Sequence, residues 1–159
     1  MIRKSASLLS LATLLFVTGT SLAASPPDFS GNWTLNTDKG LNLGMVKAVS
    51  ETVAAKQTPE KLTLDFSTTF MMKTSHRQVN YDLTGKTSIP NEGPMGDKAE
   101  TLAKWDGNRL VVTWTAEGAV AGTKTVKTEI RTLSADGRTM TVRTERAGKD
   151  PMELVYEKK

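Results

Sequence analysis

The side chains able to do chemistry are few and scattered. The 159-residue sequence holds one His, His76, and no Cys. Thiol nucleophiles, zinc–thiolate centres and disulfides are therefore excluded. Ser75 precedes His76, but a Ser–His–acid relay needs converging side chains, and adjacent strand residues face opposite ways. No Gly-x-Ser-x-Gly elbow occurs. An exposed loop His beside Arg77 is the simpler expectation. Met71, Met72 and His76 offer soft ligands for copper. On a strand, however, Met71 and Met72 point to opposite faces, which favours Met as adaptable core filler. Glu129 and Glu145 lie on neighbouring hairpins and would suit an acid–base pair. With Lys127, Arg131, Arg143 and Arg146 interleaved, cross-strand ion pairs on a solvated exterior explain them more simply. No catalytic constellation, metal site or cofactor is expected.

What remains is aromatic. Phe66, Phe70, Tyr81, Trp114 and Tyr156 fall in segments of alternating polarity and are expected to line an interior. Trp33 either floors a ligand cavity or plugs a closed end beneath a late-strand Arg, and a large aromatic contributes burial first. Trp105, just before a turn, is expected to cap the same structure.

The segments that must position these residues are mostly strands. Asn32 to Thr37 reads as the first. Leu43 to Gln57 is the one stretch with helical spacing, through Val46, Val49, Val53 and Ala54, closed by Pro59. From Glu60 onward the period is two: Leu62, Leu64 and Phe66, then Val79, Tyr81 and Leu83. Asp106-Gly107 and Asp136-Gly137 sit between alternating runs, a strong hairpin signal. Loops are expected at Pro90 to Asp97 and Gly118 to Thr123. Val126, Thr128 and Ile130 look like the inward set of their strand, which turns Arg131 outward. The pattern predicts an all-β fold: a single antiparallel up-and-down β-barrel of about 8–10 strands, with one short helix after the first strand. Closure removes the exposed edges that an open sheet would leave.

Residues 1–23 have the parts of a secretory signal peptide: Arg3 and Lys4, an apolar stretch from Leu8 to Val17, and Ser21-Leu22-Ala23 as cleavage site. The stretch is short for a permanent membrane helix. The expected organisation is therefore a signal peptide at 1–23, a leader at 24–30 and a barrel domain at 31–159. The expected address is periplasmic or secreted, with no stable membrane insertion after cleavage. Two of the 21 basic residues and none of the 17 acidic ones lie in that segment, so half of the formal charge of +4 belongs to it. The rest is dispersed, without the basic runs and interleaved aromatics of nucleic-acid binders. No nucleic-acid partner is expected.

Phe29-Ser30-Gly31-Asn32-Trp33-Thr34-Leu35 resembles the Gly-x-Trp opening of lipocalins and the Phe-x-Gly-x-Trp opening of fatty-acid-binding proteins. Lys104-Trp105-Asp106-Gly107-Asn108 and Val155-Tyr156-Glu157-Lys158 resemble segments near the end of the latter family. Asp28 to Lys159 as a whole resembles small exported bacterial lipocalin-like (calycin) proteins. The resemblance implies the barrel and carries no activity. In fatty-acid-binding proteins the last strand holds an Arg-x-Tyr pair that helps bind the ligand carboxylate. Here Tyr156 matches, Leu154 replaces the Arg, and Arg131 is the second internal cation the resemblance would offer.

Function follows as an expectation: an exported binding protein, not an enzyme, whose barrel takes an apolar or amphipathic small molecule. The alternative is a structural or interaction module with a filled core, working through the Leu43–Gln57 segment and the Ile89–Lys98 loop with an unidentified protein partner. An enzyme built from carboxylates and Tyr ranks last.

Overall fold

The computed structural model describes residues 25–159; the signal peptide expected at 1–23 lies outside the described residues. Ten strands follow one another: β1 Gly31–Leu35, β2 Ser50–Gln57, β3 Lys61–Phe70, β4 Lys73–Asp82, β5 Ile89–Glu92, β6 Lys98–Asp106, β7 Arg109–Glu117, β8 Lys124–Leu133, β9 Thr139–Arg146 and β10 Lys149–Lys158. All pairings are antiparallel, and the hydrogen-bonded order runs β4-β3-β2-β1-β10-β9-β8-β7-β6-β5. The first strand pairs with the last, so the sheet curls into a nearly closed up-and-down barrel.

The short helix is not there. Gly44–Ala48 forms a single 3-10 turn without a side-chain cap, and Ser50–Gln57 is a strand. Its helical spacing was coincidental with a period of two: Glu51, Val53 and Ala55 turn inward, with Val53 and Ala55 buried. β1 needs a second neighbour besides β10, and β2 supplies it through Gly31↔Ala55 to Thr34↔Thr52. The tertiary ladder overrides a weak local pattern.

Two further expectations change. Met71 and Met72 are not strand residues or core filler; they form the β3–β4 turn with φ of 47° and 63°, and both are exposed. The expected 90–97 loop contains most of β5, whose Ile89–Glu92 pairs with Thr101–Lys98.

Antiparallel strand order places the β2–β3, β4–β5, β6–β7 and β8–β9 turns at one end. Phe29 and Trp33, both fully buried, plug that end. Trp33 Nε1 donates to the Phe29 carbonyl at 2.9 Å, and Trp105 stacks on the Phe29 ring at 6.1 Å. Gln57 ties the leader down, accepting from Phe29 N at 3.0 Å and donating to the Pro27 carbonyl at 2.9 Å.

β4 and β5 end the hydrogen-bonded order, and one side chain joins them. Asn91 on β5 accepts from Asn80 N at 2.9 Å and donates to the Asn80 carbonyl at 2.7 Å, as a peptide group of a neighbouring strand would. Its amide also donates to Thr101 Oγ1 at 2.7 Å, and Thr101 donates to the Ile89 carbonyl at 2.9 Å. Asn91 and Thr101 are both buried, so their unpaired groups have no water to turn to. Asn91→Ala is expected to destabilise the protein by about 2 kcal/mol in urea unfolding. Hydrogen exchange at the Asn80 amide should accelerate, while the Trp33 indole stays protected. Unchanged exchange at Asn80 contradicts the role assigned to Asn91.

Candidate functional site

The inward faces enclose a cavity of about 160 Å³. Its apolar wall includes Phe66, Val142 and Leu154, and its upper margin is made by Val46 and Pro94 from two connections. Four of the aromatic residues expected inside are here: Phe66 on β3, Tyr81 on β4, Trp114 on β7 and Tyr156 on β10. Tyr81 meets Trp114 edge-on, with ring centres 6.3 Å apart. Phe70 is not part of the site, because it sits at the tip of β3 and is 38% exposed. Trp33 does not reach the cavity either; it belongs to the plug, beneath Lys158 at 5.2 Å from its ring rather than beneath an Arg.

Arg131 reverses its expectation, and so does β8 as a whole. Leu110, Val112 and Trp114, the buried face of β7, stand directly opposite Arg131, Glu129 and Lys127. Directly paired residues share a face, so β8 turns these three charges inward, and Val126 is left 53% exposed on the outside. A slip of one residue would invert the set, but the β7–β8 connection fixes it by pairing Glu117 with Lys124.

The inward row is internally neutralised in part. Glu129 Oε2 accepts from Arg131 NH2 at 3.0 Å, and Lys127 Nζ lies 3.3 Å from Glu129 Oε1. The same ammonium stands 4.1 Å from the centre of the Trp114 ring, a cation–π contact. Burial works to raise the Glu129 pKa, but Arg131 and Lys127 outweigh it and hold the carboxyl below its ordinary range. Burial likewise opposes the Arg131 charge, and Tyr81 and Glu129 more than offset it. Burial is the main cause pushing both tyrosines up, reinforced at Tyr81 by Glu129 and at Tyr156 by Glu51.

Across the cavity, Glu51 is also paired. It accepts from Tyr156 OH at 2.7 Å and from Thr68 Oγ1 at 2.6 Å. Arg77 lies over the Phe66 ring at 4.2 Å and donates to the Glu92 carbonyl. Three polar atoms of the lining have no partner: Tyr81 OH, Trp114 Nε1 and Arg131 Nε. Two of them, the indole and guanidinium N–H groups, can only donate.

The sequence reasoning missed Glu51, Lys127 and Glu129. The first was hidden by the helical reading of 43–57. The other two read as exterior charges in the sequence, together with Glu145, which is indeed exposed and pairs with Arg143. The signal that would have found them is the hairpin: the apolar parity of β7, carried through a short turn, dictates the parity of β8. His76 lies on β4, not in a loop, and is exposed at an open groove on the outer wall near Asp65 and Asn32. Among the described residues no group of three or more His, Asp or Glu is placed to hold a metal.

No family model matches the chain, and no curated protein sequence does. Solved structures do match. The REP1-NXSQ fatty acid transporter superposes with a TM-score of 0.63 at 18% identity, over 82% of this chain and 95% of its own. Human cRBP IV gives 0.62 at 15% identity, over 84% and 100%. The Schistosoma mansoni fatty acid binding protein in complex with arachidonic acid gives 0.63 at 15%, over 82% and 96%. The fold is therefore the calycin-type barrel of the fatty-acid-binding proteins, as the Trp opening and the terminal segment suggested.

Because the folded pKa of Glu129 lies below its unfolded value, its contribution to stability is complete above the ordinary carboxylate range. It is lost as pH falls through the lowered value. Glu129→Gln, which leaves Arg131 and Lys127 without a counter-charge, is expected to cost about 3–5 kcal/mol at pH 7. The gap between wild type and variant should narrow progressively below about pH 4.3. Chemical unfolding at a series of pH values measures both, and a gap that widens in acid contradicts the assignment.

Proposed function

We propose that this chain is a binding protein whose barrel interior holds one small apolar or amphipathic molecule. The observation that carries the reading is the cavity itself. Its wall combines Phe66, Val142 and Leu154 with the rings of Tyr81, Trp114 and Tyr156, and three residues of that lining each carry a buried polar atom without a partner among the described residues. Unpaired buried donors are costly, and native proteins keep few of them. The neighbours support the reading, since two of the three are described by their fatty-acid ligands. Catalysis finds less support: a carboxyl held below its usual range is a weak base, and tyrosines held above theirs are weak acids. We also propose, on the charge and apolar pattern of residues 1–23, that the chain is exported to the periplasm or beyond.

One observation favours the interaction module instead. The cavity is smaller than the roughly 300–1,000 Å³ usual for small-molecule sites, and charged side chains occupy part of the interior. At about 160 Å³ it approximates an engineered apolar cavity that takes benzene. The ligand is thus expected to be compact, far shorter than a long acyl chain.

Protein purified without detergent from the compartment in which it accumulates should carry a stoichiometric small molecule in native mass spectrometry. Val142→Phe, which fills the apolar wall, should abolish that adduct without lowering the unfolding free energy by more than the roughly 1–3 kcal/mol typical of overpacking. Wild-type protein that is empty, and that no compact apolar compound stabilises, supports the filled-core module instead.

A further inference from the structure

The surface of the barrel is apolar at one end only. The connections β1–β2, β3–β4, β5–β6, β7–β8 and β9–β10 lie opposite the plugged end, around the cavity mouth. Every large hydrophobic side chain that is exposed among the described residues lies there or close by. Leu41 and Met45 belong to the first connection, and Phe70, Met71 and Met72 form the tip of the β3–β4 hairpin. Met95 stands on the β5–β6 connection and Val120 on the β7–β8 connection. Val126 follows just inside β8 at the same end. The plugged end differs, for its turns at 58–60, 83–88, 107–108 and 134–138 carry no exposed large hydrophobic. Turn geometry does not require methionine at the β3–β4 tip either. Consecutive φ values of 47° and 63° suit Asn-Gly, yet Met72 is 99% exposed and gains almost no contact from its own chain.

We propose that this end docks on the surface of a lipid bilayer bearing anionic headgroups, with the loop-tip side chains entering the headgroup–acyl boundary. The proposal is independent of what the interior holds. The tips rise from separate hairpins, β3–β4 on one flank of the strand order and β7–β8 on the other. A soft, planar apolar phase meets such a ring of tips together, and flexible Met suits it. Long cations stand beside the tips: Lys47 is two residues from Met45, Lys73 adjoins Met72, and Lys98 is three from Met95. At a lipid interface such stems lie along apolar surface while the ammonium stays in water. With Arg146 and Lys149, these are five exposed bases that make no ion pair among the described residues. The acids in the same position at this end are three, Glu92, Asp97 and Asp150, while Glu117 is neutralised by Lys124. Asp38 and Lys39 lie lower, where Asn36 bonds to Val155 and Lys39 to Glu157 on the far half of β10. The excess of two positive charges favours anionic headgroups. A second copy seated end to end would instead bring that excess against itself. The barrel lies on the bilayer and does not span it, because exposed Lys56, Glu100 and Lys104 interrupt any apolar band on its outer wall.

The test uses the expected mature form, residues 24–159, which holds the leader and all ten strands and omits the apolar stretch Leu8 to Val17. Because the sequence has no Cys, Ala121→Cys and Asn108→Cys each accept a single environment-sensitive fluorophore. The first sits beside Val120 at the apolar end, the second on a plugged-end turn. With vesicles of phosphatidylcholine and phosphatidylglycerol, the label at 121 should shift saturably to shorter wavelength while the label at 108 stays unchanged. Affinity for these vesicles at low salt should exceed that for phosphatidylcholine alone about tenfold. Met71→Asn combined with Met72→Gly suits the turn better, so it should unfold no earlier than wild type. It should nevertheless cosediment with the vesicles at least about tenfold more weakly. Unchanged cosedimentation of that folded variant overturns the proposal, as does an equal shift of both labels. Wild type that binds neither vesicle overturns it too. A dimer that the same double variant dissociates assigns the apolar end to a second copy and overturns the lipid assignment.

Discussion

A row of charges faces the inside of this barrel, and much of its interior is arranged around compensating that row. Lys127, Glu129 and Arg131 alternate along β8 with the parity of the buried face of β7, so the pairing of the two strands leaves them no outward option. Burying isolated ions would be prohibitive. The structure meets that cost by placing the acid between the two bases, with contacts at 3.0 and 3.3 Å. Trp114 then covers Lys127, and Tyr81 lies with its ring centre 5.7 Å from the Arg131 guanidinium carbon. The aromatic residues of the cavity are thus partners of charges first and apolar wall second.

That arrangement explains why the fold was easier to read from the sequence than the site. Strand existence followed from alternation in Leu62-Leu64-Phe66, and from Asp-Gly turns whose glycines take φ of 61° and 67° at Gly107 and Gly137. Barrel closure followed from the number of strands and the absence of any other cover. Both signals are local. The parity of β8 is not, because Lys-Thr-Glu-Ile-Arg alternates as convincingly one way as the other. Only its pairing with Leu110-Val112-Trp114 decides, and charge composition points to the wrong answer. The same holds for Glu51, whose inward position depends on β2 being a strand between β1 and β3. Met71 and Met72 misled for a related reason: a two-residue turn with positive φ ordinarily uses Gly or Asn, and nothing in the local sequence marks Met there.

The plugged and open ends divide the labour of the barrel. Phe29 stacks on Trp105 and accepts, through its carbonyl, the buried indole donor of Trp33, and the leader is fastened there by Gln57. Nothing polar is left wanting there, so that end contributes stability and closure. The cavity end is different in kind. Its cover consists of Val46 from a 3-10 turn and Pro94 from a tight connection, while Leu41 and Glu153 exchange backbone hydrogen bonds at 3.0 and 2.9 Å to hold the first of these against β10. Three of the four buried side-chain polar atoms left without a partner among the described residues gather in the cavity lining.

Their concentration has a thermodynamic meaning. Each unpaired buried donor or acceptor costs about 1–3 kcal/mol, and a structure that satisfies Asn91, Thr101 and Glu51 so completely shows that the fold can pair its polar groups where stability alone is at stake. Trp114 Nε1 has no acceptor among the described residues, and the face of its ring is taken by Lys127. The same low polarity that makes them expensive when unpaired makes each hydrogen bond formed around them worth more than it would be at the surface.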